Sequence, residues 1–151
     1  MKDRGRNLAL LLLRLAGLYL ALGHGWGKVA SLAAGTSRFP DALAEMGFPM
    51  AVAFAWAAAL SEFLGGLLIA AGLFTRVSAA LCAATMFVAA VVRHKLLTQI
   101  LVSSGLLERS EELLKRWGNP ELATTYLLIF GALAFLGPGA WSLDAKYRKV
   151  K

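Results

Sequence analysis

The chain has 151 residues, of which 58% are hydrophobic and only 17% are charged. Soluble domains carry about 25% charged residues, so this composition indicates one membrane-embedded domain rather than a soluble one. The net charge of +7 does not indicate nucleic-acid binding, because many of the basic residues lie in the two tails, where they flank apolar segments and meet lipid. The single cysteine, Cys82, excludes an intramolecular disulfide and a cysteine zinc cluster, and no metal site is predicted.

Four apolar segments predict an all-α integral membrane four-helix bundle that forms a single domain over residues 1–151, with spans at about 8–27, 50–74, 77–94 and 121–136. The first segment is interrupted by Arg14 and is too long for the apolar region of a signal peptide. The two outer loops contain amphipathic segments, at 39–49 and 106–117. These segments are predicted either to lie on the membrane surface or to cap the bundle.

The distribution of basic residues predicts the orientation of the bundle. Four spans place both termini on one side, together with the short turn at Arg76. That side carries its basic residues in short segments: Lys2, Arg4, Arg6, Arg76, Lys146, Arg148, Lys149 and Lys151. The opposite side spreads its basic residues over longer loops: Lys28, Arg38, Arg93, Lys95, Arg109, Lys115 and Arg116. The positive-inside rule therefore predicts that both termini are cytoplasmic.

Glu62 lies in the middle of the second apolar segment. A carboxyl group at membrane depth is costly, so it faces a partner or a cavity. Small residues share its helical face: Ala55, Ala58, Ala59, Gly65 and Gly66. Such residues mark close helix contacts in membranes, so Glu62 is predicted to point into the bundle. Arg14 shares a similar stripe with Gly17, Ala21 and Gly25, and is predicted to point inward as well.

Helical rise predicts that other polar residues converge at the outer end of the bundle. His24, His94 and Glu121 fall about 22–26 Å from the end that carries the termini, and the lean of helical side chains brings His24 and Glu62 together while Arg14 leans away. Glu62, His24 and His94 are therefore candidates to bind a quinone carbonyl and supply protons, since histidine titrates near neutral pH. A structural polar network and a path for ions or solutes remain alternatives. A haem held by His24 and His94 rests on two histidines alone, which is the weakest of these patterns.

Several segments together resemble the DoxX family of small bacterial four-helix membrane proteins. They are LGHGWGK at 22–28, FPDALAEMGFP at 39–49, SEFLGGLLIAAGLFTR at 61–76 and LGPGAWSLDAKYR at 136–148, with a histidine ending the third span and a glutamate opening the fourth. The resemblance extends from about residue 14 to residue 148. Its pattern positions are Arg14, His24, Gly25, Lys28, Glu62, Gly66, Arg76, His94, Glu121 and Asp144.

The resemblance implies a multi-pass protein of the bacterial cytoplasmic (inner) membrane that interacts with quinone as a subunit of a membrane redox complex. A partner protein would carry the electron-transfer cofactor, and a homo-oligomer is compatible with this role. The predicted binding residues are Arg14, His24, Lys28, Glu62, His94 and Glu121. The alternative is a non-catalytic membrane scaffold or small-solute carrier. The segment 96–120 is longer than is usual in the family, and the chain lacks the cysteine pairs of disulfide-generating membrane enzymes.

Overall fold

A computed structural model describes residues 2–108 and 110–148. Within these residues the chain is 79% helical and contains no strand. The apolar helices confirm the predicted all-α membrane four-helix bundle. Arg109, Lys149 and Lys151, which contributed to the predicted orientation, lie outside the described residues, as do the side chains of Lys2, Leu113, Arg116 and Arg148.

The chain forms eight helices within the described residues. The first, α1, consists of Lys2–Leu20, a π-helical turn at Ala21–Gly25 and Trp26–Ala33, and it is followed by the short helix α2 at Phe39–Glu45. Helix α3 consists of Ala51–Leu60, a second π-helical turn at Ser61–Gly65 and Gly66–Ala71. Helix α4 consists of Thr75–Phe87 and a third π-helical turn at Val88–Arg93. The remaining helices are α5 at Leu96–Ser103, α6 at Glu111–Trp117, α7 at Glu121–Leu136 and α8 at Leu143–Arg148.

Three of these helices are long and apolar enough to cross a membrane, judged by length and composition: Arg4–Ala33, Ala51–Ala71 and Thr75–Arg93. Helix α7 is apolar but has 16 residues, which corresponds to about 24 Å of rise and falls short of the roughly 30 Å apolar thickness of a bilayer. The exact limits of the spans, and the single-domain organisation, stay predictions.

The bundle packs as two pairs of helices, with α1 along α3 and α4 along α7. The core between them includes Leu20, Ile69, Cys82 and Phe130, all of which are fully buried. Helices α1 and α3 approach closely where Gly17 faces Gly66. A Cβ atom added to Gly17 would lie 2.7 Å from the Gly66 carbonyl oxygen, so the two backbones touch in the way that small residues permit in membranes.

The turn between α3 and α4 is as tight as the sequence predicted, because α3 ends at Ala71 and α4 begins at Thr75. The turn is closed by the C-terminal segment. The Asp144 carboxylate accepts hydrogen bonds from the backbone N–H groups of Phe74 and Thr75, at 2.8 and 3.0 Å. An acidic side chain at this position satisfies unpaired N–H groups of the first helical turn. Its negative charge also interacts favourably with the positive end of the helix dipole.

The amphipathic helix predicted over 106–117 is shorter in the structure. Helix α6 begins only at Glu111, and Leu106 lies in the non-helical segment that follows α5. Gly105, with φ of 76°, and the extended backbone of Ser110 account for the interruption. In the other loop, α2 covers Phe39–Glu45, and the chain leaves the helix before Gly47, which has φ of 84°.

Candidate functional site

The central feature inside the bundle is an ion pair between α1 and α3. The Lys28 ammonium donates hydrogen bonds to both oxygens of Glu62, at 2.6 Å to Oε1 and 2.8 Å to Oε2. The Glu62 side chain is 2% exposed, whereas the Lys28 side chain is 34% exposed. The pair therefore links a fully buried carboxylate to the outside of the bundle. A buried carboxylate is retained at membrane depth only with such a partner.

Both π-helical turns of the first helix pair contribute to this site. Glu62 lies in the turn Ser61–Gly65 of α3, and that turn packs against the turn Ala21–Gly25 of α1. The contact is backbone to backbone, because a Cβ atom on Gly25 would lie only 2.6 Å from the Phe63 amide nitrogen. A π-helical turn inserts an extra residue into a helix, and such turns occur frequently at functional sites.

One aromatic ring contacts the ion pair, and two others pair with each other at neighbouring positions of α1 and α3. The Lys28 ammonium lies 5.1 Å from the centre of the Phe39 ring, at the start of α2, which is within cation–π distance. The rings of Trp26 and Phe63 are 5.5 Å apart and tilted by 48°. The partly exposed ammonium thus has the flat face of one aromatic ring beside it. Phe39, Trp26 and Phe63 are not among the site residues that the sequence predicted.

A further set of polar contacts joins the π-helical turn of α3 to α4. The hydroxyl groups of Ser61 and Thr85 are 2.7 Å apart, and the Cys82 thiol donates to the Ser61 carbonyl oxygen at 3.0 Å. Cys82 is therefore a buried packing residue with a partner for its thiol. These contacts hold the backbone around Glu62. A π-helical turn interrupts the regular α-helical hydrogen bonds of the backbone, and the Cys82 thiol supplies a donor to the Ser61 carbonyl oxygen there.

The structure corrects the predicted partner of Glu62. The carboxylate binds Lys28, and no described contact joins it to the half-buried His24. Lys28 is four residues after His24, so the two lie on the same face of α1. The lysine stem is longer and its Cα–Cβ bond tilts back toward the N-terminus of the helix, which brings the ammonium to the carboxylate.

His94 and Glu121 do not complete this ion pair. His94 Nδ1 lies 2.6 Å from the Trp117 carbonyl oxygen, and the Gln99 side chain bridges the carbonyl oxygens of His94 and Gly118. Glu121 is exposed at the first turn of α7. Among the described residues, no hydrogen bond or ion pair joins either side chain to Lys28 or Glu62. The 96–120 segment thus holds His94 beside α6, and α7 begins with an exposed Glu121, so the convergence of these residues on one ligand stays a prediction.

Arg14 lies inward, as predicted, but at the other end of the bundle. Its side chain is 2% exposed and donates a hydrogen bond to the Trp141 carbonyl oxygen. Its Nε and Nη1 atoms have no hydrogen-bond partner among the described residues, and Gly72 packs directly against Nη1. Arg14 thus ties α1 to the C-terminal segment.

The role of Arg14, His24, His94 and Glu121 in ligand binding stays a prediction. Among the described residues, no group of three His, Cys, Asp or Glu side chains gathers as metal ligands would.

Comparisons with known proteins identify the family. A sequence model of the DoxX family matches residues 9–95. The inner membrane protein YqjF of Escherichia coli (strain K12) is 32% identical over 143 residues, which cover 95% of each chain, and this supports a bacterial inner membrane location. No solved structure matches. The family match covers more than half of the chain and the similarity to YqjF extends over nearly all of it, so the chain belongs to the DoxX family of membrane proteins.

Proposed function

We propose that this chain is a quinone-interacting subunit of a membrane redox complex, and that Lys28 and Glu62 bind the quinone headgroup. The observation that carries the proposal is the unequal burial of the ion pair. Glu62 is enclosed, whereas a third of the Lys28 side chain is exposed. The ammonium has three N–H donors and directs two short contacts to Glu62. The third donor is left for a ligand carbonyl oxygen.

The residues present fit such a ligand. A quinone accepts two electrons and two protons when it is reduced, and its ring carries two carbonyl oxygens. Lys28 supplies a hydrogen-bond donor, and Phe39, Trp26 and Phe63 supply flat apolar surfaces nearby. Glu62 holds the lysine in place and stabilises its charge. The electrons come from a partner protein in this proposal, because Cys82 is alone and forms no dithiol.

A second candidate, a non-catalytic membrane scaffold, is favoured by a specific observation. Both Glu62 oxygens are satisfied by Lys28, and the pair joins α1 to α3 as interhelical polar contacts do in membrane bundles. The two candidates differ in one respect. A structural ion pair contributes only to stability, whereas a ligand site also determines quinone affinity.

The test measures quinone affinity and checks folding on the same protein. Decylubiquinone is titrated into the purified detergent-solubilised chain, and quenching of Trp26 fluorescence reports binding, with Trp26→Phe as the control that assigns the signal. The double variant Lys28→Gln/Glu62→Gln replaces the ion pair by two neutral amides of similar length. We expect it to remain folded and to bind the quinone at least about tenfold more weakly, as loss of a charge-assisted hydrogen bond predicts. Unchanged affinity in a folded double variant would exclude the quinone site and favour the scaffold.

A further inference from the structure

A second polar site lies at the end of the bundle formed by the first turns of α1 and the segment that follows α7, far along α1 from Lys28. It is a cleft of about 370 Å³ between the first turns of α1, the start of α4 and the loop that joins α7 to α8. Arg6 and Arg76 line it from two different helices, and the loop 137–140 forms part of its wall. Nothing in the proposed quinone site uses this cleft.

The two arginines of this cleft are not neutralised by acidic neighbours. Among the described residues, neither Arg6 nor Arg76 has a salt-bridge partner. The acidic residue that lines the cleft is Asp144, and both of its oxygens accept backbone N–H groups of α4. The positive charge of buried Arg14 also interacts electrostatically with the Asp144 carboxylate. The charges that face or adjoin the cleft therefore sum to a positive excess.

The backbone holds Arg76 at the wall of the cleft. A Cβ atom on Gly137 would lie 3.2 Å from Arg76 Nε, and Gly137 has φ of 79°. Glycine permits both this backbone conformation and the close approach of the guanidinium. The opposite side of the loop is fixed by Asn7, whose side-chain oxygen accepts the Ala140 N–H at 2.9 Å. Arg6 and Arg76 thus line the same cleft as a loop that is itself fastened to α1.

The rim of the cleft is apolar and aromatic. Leu136 lines the cleft and is 51% exposed, although it ends an apolar helix. Trp141 and Tyr147 are exposed at the same end of the chain, where aromatic side chains mark the level of lipid headgroups. A cleft lined by two exposed arginines, with apolar surface at its edge, matches an amphiphile with an anionic head.

We propose that this cleft binds a phosphate group, presented by an anionic phospholipid at the membrane surface. The fork of N–H donors on arginine binds phosphate oxygens in pairs, and two arginines from separate helices hold the phosphate between α1 and α4. Basic residues at the membrane surface attract anionic lipid in any case. In this cleft, however, Arg6 and Arg76 bind the phosphate, and the neighbouring basic residues of the tails do not.

The experiment compares lipids and variants on the purified full chain. Native mass spectrometry and melting temperature are measured with phosphatidylglycerol, with phosphatidylcholine and with inorganic phosphate. We expect phosphatidylglycerol to bind and to raise the melting temperature more than phosphatidylcholine. In Arg6→Gln/Arg76→Gln its affinity should fall about tenfold or more, the loss expected for charge-assisted hydrogen bonds. Arg4→Gln is the matched control, because Arg4 is exposed at the same end but does not line the cleft, and it should change the affinity less than about twofold.

The outcomes separate the sources of the phosphate. A response to phosphatidylglycerol alone assigns a lipid headgroup, whereas an equal response to inorganic phosphate that is lost in the double variant assigns a soluble phosphate compound. Equal losses in Arg4→Gln and in Arg6→Gln/Arg76→Gln would overturn the site and leave only general surface charge. If the double variant does not fold, Arg76→Gln alone carries the same comparison with Arg4→Gln.

Discussion

At the residue scale, replacing Lys28 alone should destabilise the protein more than replacing Lys28 and Glu62 together. Removing Lys28 leaves a carboxylate that is 2% exposed without its partner. Breaking a buried ion pair from one side typically costs about 3–5 kcal/mol, and more than replacing both partners. Because Lys28 is itself partly exposed, the lower end of that range applies.

We therefore expect Lys28→Ala to lower the free energy of unfolding by about 3 kcal/mol, measured by denaturant titration in detergent. The variant Lys28→Ala/Glu62→Gln should recover most of this loss, because a neutral amide is less costly to bury than an unpaired charge. Equal destabilisation by the single and double variants would show that Lys28 stabilises the bundle by packing alone, and not by pairing with the carboxylate.

At the scale of elements, the contact between the π-helical turns of α1 and α3 depends on a glycine. A Cβ atom on Gly25 would lie 2.6 Å from Phe63 N and 2.7 Å from its Cα. Backbone atoms cannot move aside as a flexible side chain does, so Gly25→Ala should lower the free energy of unfolding by about 1–3 kcal/mol, the usual cost of overpacking. It should also weaken quinone binding, because it separates the helices that carry Lys28 and Glu62.

Gly27 provides the matched control for this experiment. It lies two residues further along α1, and a Cβ atom there would meet no atom within 4 Å. Alanine favours a helix over glycine by about 1 kcal/mol, so Gly27→Ala should leave stability unchanged or increase it. If Gly25→Ala behaves like Gly27→Ala in thermal unfolding, the close contact of the two π-helical turns does not stabilise the protein.

At the scale of the whole molecule, the first turns of α1 and the segment that follows α7 lie at the same end of the bundle. The Asn7 side chain accepts the Ala140 N–H, and Arg14 contacts the Trp141 carbonyl oxygen, so the first turns of α1 and the C-terminal segment are neighbours. The 96–120 segment lies at the other end, where His94 binds the Trp117 carbonyl oxygen. The two ends of the bundle therefore differ in the segments and contacts that form them.

We expect Arg4→Cys to be labelled by a membrane-impermeant thiol reagent from the cytoplasmic side and Ser110→Cys from the opposite side. The background is Cys82→Ser, which keeps a hydrogen-bond donor for the Ser61 carbonyl oxygen. Labelling in intact cells and in inverted vesicles gives the two accessibilities. The positive-inside rule supplies the direction. Labelling of both positions from one side would contradict the four-span bundle.

The sequence by itself determined the membrane class, the helical fold and the inward direction of Glu62 and Arg14. Each of these follows from local properties. Apolar segments of sufficient length must form helices in lipid, because no water is present to satisfy the backbone. A charged residue on a face of small residues must turn toward another helix. These rules need no knowledge of which helices become neighbours.

Only the tertiary structure decided which groups meet. Glu62 binds Lys28, 34 residues away, and not His24, while Asp144 caps a helix that begins about 70 residues earlier in the chain. The π-helical turns at Ala21–Gly25 and Ser61–Gly65 insert extra residues, and each insertion rotates the following face by about 100°. Depth along a helix can be read from residue number, but the rotation and the choice of neighbour depend on how the helices pack.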